Sequence, residues 1–459
     1  MKNLPKIKSI TYKKFKTDLS PEQLYEKFAS VPYSSLLCGK GKKDNSHFAF
    51  IGINPFHIHA SVQNPFDEFQ QLIDFYSVSG RKYPVNLWGG IGYMSYDVAH
   101  YTEKLPKTTK NDINMPMMQM VFYKDLIIYD FHKNKKYLVQ VEPENDRVTD
   151  IKELLYESES ASNAAGNAAA DTAADIAADS EKSFSVKGKL IFNDLPTYKA
   201  KVENILDYIN KGDVYEVNLS HRFTTEYTGD PYKIFLELYG INDAPFSAYL
   251  PFGDHTIISN SPERFLYAQK DHIETRPIKG TAPRGKTKKA DLASRNALKK
   301  SAKDDAELSM IVDLLRNDLG KVSDYGSVKV KEHKRVEGFK NVWHLISIIK
   351  GKLRPDENYG SLLKACFPGG SITGCPKIRS MEIIDELEDF TRNLYTGTIF
   401  IANNVRLDSS IVIRTIIAYK NKLHFNVGGA VVYDSDPKKE YEETLDKAES
   451  ILKALGNPS

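Results

Sequence analysis

Cysteine is scarce in this chain: Cys38, Cys366 and Cys375 are the only three among 459 residues. The number is odd and no CxxC pair occurs, which argues against a disulfide framework or a zinc site. No apolar run follows the basic N-terminal segment, so no signal peptide is predicted. No stretch reaches the roughly 18 apolar residues of a membrane-spanning helix. We therefore expect a soluble protein of the reducing cytoplasm, without membrane association.

An excess of charge of one sign is also missing. The net charge of +3 is close to neutral for this length and gives no support to a nucleic-acid partner. The lysine-rich segment 284–305 contains acidic residues and lacks interleaved aromatics, which is typical of a solvated helix and loop. The hydrophobic content of 41% and aromatic content of 11% indicate a globular protein with a packed core.

One segment divides the chain. Between residues 157 and 183 the composition changes to Ala, Asp, Asn and Ser, with almost nothing large to bury. This pattern predicts an N-terminal domain (1–156), a linker (157–183) and a C-terminal domain (184–459). The C-terminal part places amphipathic helices irregularly among strands, and the segment from Lys438 to Leu455 reads as a closing helix. We therefore expect an α+β fold, not a doubly wound parallel sheet.

Five distinctive blocks occur in order along the second half: SNSPERF from Ser259, RPIKGTAPRG from Arg276, IVDLLRNDLG from Ile311, FPGGSITGCPK from Phe367 and VGGAVVYDSD from Val427. The series resembles the chorismate-using synthases, which form anthranilate, aminodeoxychorismate, isochorismate or salicylate. GGIGYMSYD from Gly89 extends the likeness into the first half. The resemblance implies two large antiparallel sheets packed as a sandwich with helices outside, as in anthranilate synthase component I. The FPGGSITGCPK block lacks the GxxxxGK[ST] spacing, so nucleotide binding is not expected.

The string PIKGT, residues 277–281, carries the finer resemblance. It is similar to aminodeoxychorismate synthase component I, whereas anthranilate synthases typically have alanine at the position of Lys279. This implies attack by Lys279 on C2 of chorismate, followed by amination at C4 to 4-amino-4-deoxychorismate, the precursor of 4-aminobenzoate and folate. Two alternatives stay open: anthranilate synthase component I of tryptophan biosynthesis, and a non-catalytic regulatory subunit with the same fold.

Three carboxylates are candidate metal ligands. By spacing alone, Glu440, Glu443 and Lys447 share one helix face, a pattern typical of a solvated surface. The resemblance implies instead that Glu307 and Glu443 hold Mg²⁺, with Glu440 close by. Mg²⁺ prefers oxygen ligands and would anchor the ring carboxylate of chorismate.

The resemblance also assigns substrate contacts and proton transfer. Arg414 and Tyr395 match residues that hold the enolpyruvyl carboxylate, and Lys447 is suited to the carboxylate that faces the metal. Glu263 and His344 match residues near the departing C4 hydroxyl, where proton transfer occurs. The remaining candidate substrate contacts are Thr281, Ser371, Thr373, Gly374, Gly428 and Gly429.

Some positions depart from the family pattern. Glu216 stands where aminating synthases often have glutamine and isochorismate synthases have lysine, which argues against isochorismate or salicylate formation. Leu308 replaces a polar residue after the predicted metal ligand Glu307. SSLLCGK (34–40) only partly resembles the tryptophan-sensing motif of anthranilate synthase, so tryptophan regulation is not expected.

Two expectations concern reactivity. We expect burial beside cations to lower the pKa of Lys279, since Arg276 and Arg284 lie close to it in sequence. None of the cysteines lies in a GxCxGxQ setting, and glutamine hydrolysis of the usual kind needs an activated thiolate. Ammonia is therefore expected from a separate glutamine amidotransferase subunit.

Overall fold

The computed structural model describes residues 4–39, 47–144, 184–242 and 244–456. The predicted linker, 157–183, lies outside the described residues, and the domain boundaries drawn from it stay a prediction. Within the described ranges the chain forms nine α-helices and twenty β-strands. No helix in these ranges is both long enough and apolar enough to cross a membrane.

The helices are α1 (Pro21–Glu26), α2 (Pro65–Phe75), α3 (Leu195–Asn210), α4 (Pro231–Ile241), α5 (Lys288–Lys300), α6 (Ala302–Gly320), α7 (Tyr359–Cys366), α8 (Lys377–Leu387) and α9 (Pro437–Ala454). The strands are β1 (Ile7–Phe15), β2 (Ser35–Cys38), β3 (Phe48–Ala60), β4 (Gly90–Met94), β5 (Met118–Asp130), β6 (Lys135–Pro143), β7 (Phe184–Ile191), β8 (Glu216–Gly229), β9 (Phe246–Phe252), β10 (His255–Ser261), β11 (Arg264–Gln269), β12 (His272–Arg276), β13 (Ile278–Pro283), β14 (Lys329–Gly338), β15 (Val342–Lys352), β16 (Gly374–Cys375), β17 (Thr398–Asn403), β18 (Arg406–Ile411), β19 (Thr415–Tyr419) and β20 (Lys422–Val431).

These strands pair antiparallel in one continuous network with two arms that meet at β5. The first arm runs β7-β8-β20-β19-β10-β9-β2-β3-β5 and continues to β6 and β1. The second runs β5-β4-β17-β18-β11-β12-β15, with β13 and β14 both on β15. The pairs β2–β9 and β4–β17 join strands from the two sides of the predicted linker. Both parts of the chain therefore build the same sheet.

The main core lies between the two arms. It contains Phe252 and Ile257 from the first arm and Leu266, Ile273 and Leu407 from the second. Burial of such side chains stabilises the fold by roughly 25 cal/mol for each Å² of apolar surface removed from water. A second core covers the outer face of the first arm. The expected antiparallel sandwich with helices outside is confirmed, with its two sheets joined through β5.

That second core packs helices against strands. Leu24 of α1, Ile234 of α4 and Ile451 of α9 meet Tyr249 and Phe425 of the sheet. The closing helix α9, which the sequence predicts, begins at Pro437 because the Asp436 carboxylate accepts hydrogen bonds from the next free backbone N–H groups. Its position along β20 brings its polar face to the site described next.

Candidate active site

Lys279 lies on β13 and its side chain is almost buried, with 10% exposed. Its Nζ donates a hydrogen bond of 2.8 Å to Oε1 of Glu216, the first residue of β8. Glu216 is fully buried, and its second oxygen, Oε2, has no hydrogen-bond partner among the described residues. A lysine and a carboxylate thus meet at the centre of the site, where neither is hydrated by bulk water.

The surroundings of Lys279 correct one expectation. Burial by itself lowers the pKa of Lys279, but the charges of Glu216, Glu307 and Glu263 outweigh it, so its pKa lies above the ordinary value. The predicted cationic neighbours are engaged elsewhere: Arg276 pairs with Glu274, and Arg284 pairs with Asp291. The prediction of a lowered pKa is therefore wrong. Lys279 rests as an ammonium ion among carboxylates.

Glu263 behaves differently from the other acids near Lys279. It follows β10, is 5% exposed, and accepts a 2.8 Å hydrogen bond from the Ser371 hydroxyl. Burial raises its pKa to about 7, although the Ser371 hydroxyl, a backbone hydrogen bond and the Lys279 charge act in the opposite direction. A carboxyl group that holds a proton near neutral pH is suited to general acid catalysis.

The FPGGSITGCPK segment places Ser371 beside Glu263 and then runs along β8. The Thr373 carbonyl accepts from Asn218 N, while its hydroxyl donates to Gly369 O. Gly374 pairs with Val217, and a Cβ at Gly374 would lie 2.1 Å from the Glu216 carbonyl oxygen. Its φ of 141° also favours glycine. The close approach that only glycine allows therefore fixes the loop against the strand that carries Glu216.

The polar face of α9 forms a second part of the site. Lys447 Nζ lies 2.6 Å from the Glu443 carboxylate and donates to Gly428 O. Glu440 is buried and accepts from Ser435. A Cβ on Gly429 would lie 3.3 Å from Glu440, 3.5 Å from Lys447 and 3.7 Å from Glu443. These three side chains thus surround the space that Gly429 leaves open.

Glu307 on α6 is linked to this face through Lys303. Lys303 lies 3.8 Å from Glu307, and its charge lowers the pKa of Glu307, Glu440 and Glu443. Burial still leaves the pKa of Glu307 and Glu440 raised, whereas Lys447 helps to hold that of Glu443 below the usual value. All three carboxylates therefore lie within electrostatic reach of one ammonium group.

This donor set fits magnesium. In the described part of the chain no three His, Cys, Asp or Glu side chains form a complete metal cage. Mg²⁺ is usually held by one or two carboxylates, with waters and substrate oxygens completing its shell. Glu443 and Glu440 offer oxygen ligands of that kind next to the space left by Gly429. Glu307 offers a further one and shares the charge of Lys303 with them.

Thr281, His344 and Arg414 are a further group of predicted site residues. Thr281 is two residues beyond Lys279 on β13, and its hydroxyl is 2.9 Å from Nδ1 of His344 on β15. His344 and Arg414 both line a cavity of about 20 Å³. Burial lowers the pKa of Arg414, and its guanidinium has no carboxylate partner within the described ranges. Because Arg414 is partly buried and has no carboxylate partner among the described residues, it is a candidate for anion binding.

Tyr395 is buried and packs near Arg392, whose guanidinium lies 5.6 Å from the Tyr395 ring centroid. Burial raises the pKa of the Tyr395 hydroxyl. Arg392 pairs with Glu388 at 2.7 Å and donates to the carbonyl oxygens of Ile372 and Asn218. This buried ion pair therefore connects the 370–374 loop to β8.

Two of these features were missed by reading the sequence. Glu216 was noted only as a departure from a family pattern, yet it directly contacts Lys279. The Glu388–Arg392 pair was not considered, although glutamate and arginine four residues apart give a recognisable signal. Of the predicted site residues, the structure brings Glu263 and Glu307 within electrostatic reach of Lys279. It also places Gly428 and Gly429 against the polar face of α9. The roles predicted for these residues stay predictions.

A larger cavity, of about 260 Å³, lies away from Lys279, between the two arms of the sheet. Leu37 and Cys38 of the SSLLCGK segment line it, together with Arg264, Arg406 and Tyr267. Size alone does not identify the reacting centre, because the buried lysine and the acid with the raised pKa lie elsewhere.

A buried lysine, an acid that is half protonated near pH 7 and an unpaired arginine define an enzyme site for a small anionic molecule. The family model of chorismate binding enzymes matches residues 36–453. Aminodeoxychorismate synthase component 1 of Escherichia coli (strain K12) is 39% identical over 369 residues, covering 80% of this chain and 77% of that protein. Anthranilate synthase component 1 1 of Haloarcula marismortui is 38% identical over 379 residues, covering 80% of this chain and 76% of that protein.

The structural comparison agrees. The crystal structure of anthranilate synthase component I from Streptococcus pneumoniae TIGR4 has a TM-score of 0.74 and 27% identity, covering 94% of this chain and 97% of that chain. The chain therefore belongs to the chorismate binding enzyme family and has the anthranilate synthase component I fold. An aminodeoxychorismate synthase component and an anthranilate synthase component are almost equally identical to this chain, so sequence identity does not distinguish the two products.

Proposed function

We propose that this protein is the chorismate-aminating subunit of an aminodeoxychorismate synthase. It would convert chorismate and ammonia to 4-amino-4-deoxychorismate, the precursor of 4-aminobenzoate and folate, in the cytoplasm. The observation that carries the proposal is Lys279: a buried lysine stands at the reacting centre, with the raised-pKa acid Glu263 close enough for their charges to interact. Para amination needs such a nucleophile, whereas direct attack of ammonia at C2 does not.

The proposed reaction has two substitutions. Neutral Lys279 forms a bond from Nζ to C2 of chorismate, the two ring double bonds shift, and the C4–O bond breaks. Glu263 gives its proton to the departing hydroxyl, so water leaves. Ammonia then bonds to C4, the double bonds shift back, and the C2–Nζ bond breaks to release Lys279. The C4 ammonium returns one proton to the Glu263 carboxylate, which restores the acid. The balance is chorismate plus ammonia to aminodeoxychorismate plus water.

Recognition of the substrate follows from the charges around it. Chorismate carries two carboxylates, and Arg414, which lines one cavity with His344, offers an unpaired guanidinium for the enolpyruvyl carboxylate. The resemblance assigns Tyr395 to the same carboxylate. The ring carboxylate would lie toward Lys447 and the acidic face. Glu307 and Glu443, assisted by Glu440, would hold Mg²⁺ there, and the ion would neutralise that carboxylate and draw electron density from the ring.

Anthranilate synthase activity is the second candidate, because relatives of that name are nearly as similar. In that reaction ammonia enters at C2 and pyruvate is eliminated. Glu216 does not separate the two aminations, and Lys279 favours the first. Isochorismate formation is not proposed, since the position of Glu216 lacks the lysine base that the family uses to activate water.

Product identification tests the proposal. Purified protein is incubated with chorismate, Mg²⁺ and ammonium chloride, and the products are separated by chromatography. We expect a product that an added lyase converts to 4-aminobenzoate, and no fluorescent anthranilate. Lys279→Ala should abolish this product, and chorismate without ammonia should leave a covalent adduct on Lys279 of the wild type, found by peptide mass spectrometry.

Lys289→Ala is the matched control, since Lys289 is an exposed lysine of α5. It should keep the wild-type rate and product. Anthranilate from the wild type would contradict the proposal, and so would aminodeoxychorismate formed at the wild-type rate by Lys279→Ala.

A further inference from the structure

Glu216 presents two different oxygens to the centre of the site. Oε1 accepts the 2.8 Å hydrogen bond from Lys279 Nζ, and Oε2 is buried with no partner in the described part of the chain. A buried carboxylate oxygen without a partner costs free energy, because it has lost its hydration without replacement. Such an atom next to a reacting amine is a hydrogen-bond acceptor positioned for a small donor.

The backbone holds Glu216 rigidly in this position. Glu216 on β8 pairs with Cys375 on β16. The main-chain carbonyl oxygen of Glu216 accepts a 2.9 Å hydrogen bond from the Ser380 hydroxyl. The side chain itself is fully buried, so Oε2 does not face solvent. Oε1 is directed toward Lys279 by their hydrogen bond.

We propose that Glu216 is a catalytic residue that exchanges a proton with Lys279 through Oε1 and binds the incoming ammonia through Oε2. This inference rests on the proposed function and adds an ammonia site to it. The N–H groups of ammonia would supply the donor that Oε2 lacks.

The proton balance is closed. The resting ammonium of Lys279 gives one proton to Glu216, which leaves a neutral amine and a neutral carboxyl group. The amine forms its bond to C2 while the C4–O bond breaks and Glu263 supplies the proton that completes water. When ammonia bonds to C4 and displaces Lys279, the amine takes its proton back from Glu216, and the new C4 ammonium gives one proton to the Glu263 carboxylate. No proton exchange with solvent is needed to generate the nucleophile.

The charges that face Glu216 come from several elements. Lys279 lies on β13, Glu263 follows β10, Glu307 lies on α6 and Cys375 lies opposite on β16. Glu307 acts on the pair through its charge, without an ion pair to Lys279 among the described contacts. Burial, with the charge of Glu216, raises the pKa of the Cys375 thiol, so Cys375 stays neutral and does not compete for the proton.

The test uses Glu216→Gln, which keeps the size of the side chain and its acceptor toward Lys279. The rate of adduct formation on Lys279 is measured with chorismate from pH 6 to 8 for the variant and the wild type. In the variant the free amine forms only by loss of a proton to solvent, so the ratio of variant to wild-type rate should rise about tenfold per pH unit below the Lys279 pKa. Taking the ratio cancels the titration of Glu263.

The second measurement is the KM for ammonium chloride at saturating chorismate. In Glu216→Gln the amide nitrogen takes the place of Oε2 and cannot accept from ammonia, which should raise this KM about tenfold or more, while the KM for chorismate stays within about twofold. Glu216→Asp keeps the charge and should restore a flat rate ratio even if its rates are lower. Glu68→Gln, a buried glutamate on α2 that bonds to His59, is the matched control and should match the wild type.

A flat rate ratio for Glu216→Gln overturns the proton exchange, and an unchanged KM for ammonium overturns the ammonia site; either result rejects the proposal. A third readout does not depend on turnover. Lys279 is labelled with a small amine-reactive reagent in the absence of substrate, and the labelling rate is measured against pH. In Glu216→Gln the midpoint of this curve should shift to lower pH. Anthranilate from the wild type would reject the proposed function and this inference together, so the two failures are distinguishable.

Discussion

Glu263 gives the sharpest test of the acid proposed for the departing hydroxyl. Its pKa is raised from 4.5 to about 7, chiefly by burial. At pH 7 about half of the molecules therefore carry the proton, whereas a carboxyl group at pKa 4.5 would be protonated in about 0.3% of them. The shift corresponds to about 3 kcal/mol of difference between the two protonation states.

Glu263→Gln removes the acidic proton but keeps an oxygen that accepts from Ser371. We expect turnover to fall roughly 10²–10⁴-fold, the range for loss of a general acid. Wild-type turnover should decline as pH rises through about 7, where Glu263 loses its proton. Because the folded-state pKa is raised, the proton on Glu263 stabilises the fold fully below pH 4.5, and this contribution is lost as pH rises through 7. Between pH 4.5 and about 7, the free energy of unfolding of Glu263→Gln should therefore rise relative to that of the wild type, by up to about 3 kcal/mol.

Infrared difference spectroscopy measures the pKa directly. Subtracting the spectrum of Glu263→Gln from that of the wild type isolates the protonated carboxyl band of Glu263, which is followed as a function of pH. Glu68→Gln serves as the control and should leave that band in place. A titration midpoint near 4.5, or wild-type turnover in Glu263→Gln, would refute the assignment of Glu263 as the acid.

Three further outcomes are expected. Glu307→Gln and Glu443→Gln should each weaken Mg²⁺ binding in titration calorimetry and reduce Mg²⁺-supported turnover at least about tenfold; full activity of both variants in EDTA would exclude this metal site. Arg392→Met leaves Glu388 buried without its cation, so the free energy of unfolding should fall by about 3–5 kcal/mol and the Tm should be lower. An unchanged Tm would contradict a structural role for the pair. The purified chain should use ammonium but not glutamine until a second protein is added, and glutamine-dependent turnover by the chain alone would rule out that partner.

Local patterns predicted the elements of the fold well. The closing helix predicted from Lys438 to Leu455 is present as α9, and the β-type runs at 121–131 and 137–142 form the hairpin of β5 and β6. Such elements follow from alternation or helical spacing within about twenty residues, which the sequence displays directly. The long-range pairings β2–β9 and β4–β17 have no such local signal, so the sandwich was predicted from family resemblance alone.

The charge state of Lys279 shows where sequence reasoning failed. Arg276 and Arg284 are near it in the chain, but strand geometry directs them to Glu274 and Asp291. The group that decides its pKa is Glu216, 63 positions away in sequence. Nearness in sequence predicts electrostatic partners poorly in a sheet, because neighbouring strands bring together residues from distant segments.

The balance of charge in the site gives a further reason to expect magnesium. Below about pH 7, where Glu263 holds its proton, the other carboxylates of the site are matched in number by cationic side chains. A chorismate dianion would add two negative charges to a poorly hydrated space, at a high desolvation cost. One divalent cation at Glu307 and Glu443 restores neutrality, which a lysine or arginine in the same place could not do alone. The charged side chains in this balance are Glu216, Glu307, Glu440 and Glu443 against Lys279, Lys303, Arg414 and Lys447. Chorismate and Mg²⁺ should therefore bind with positive coupling: calorimetry should show tighter chorismate binding with Mg²⁺ present, and independent binding of the two would contradict this account.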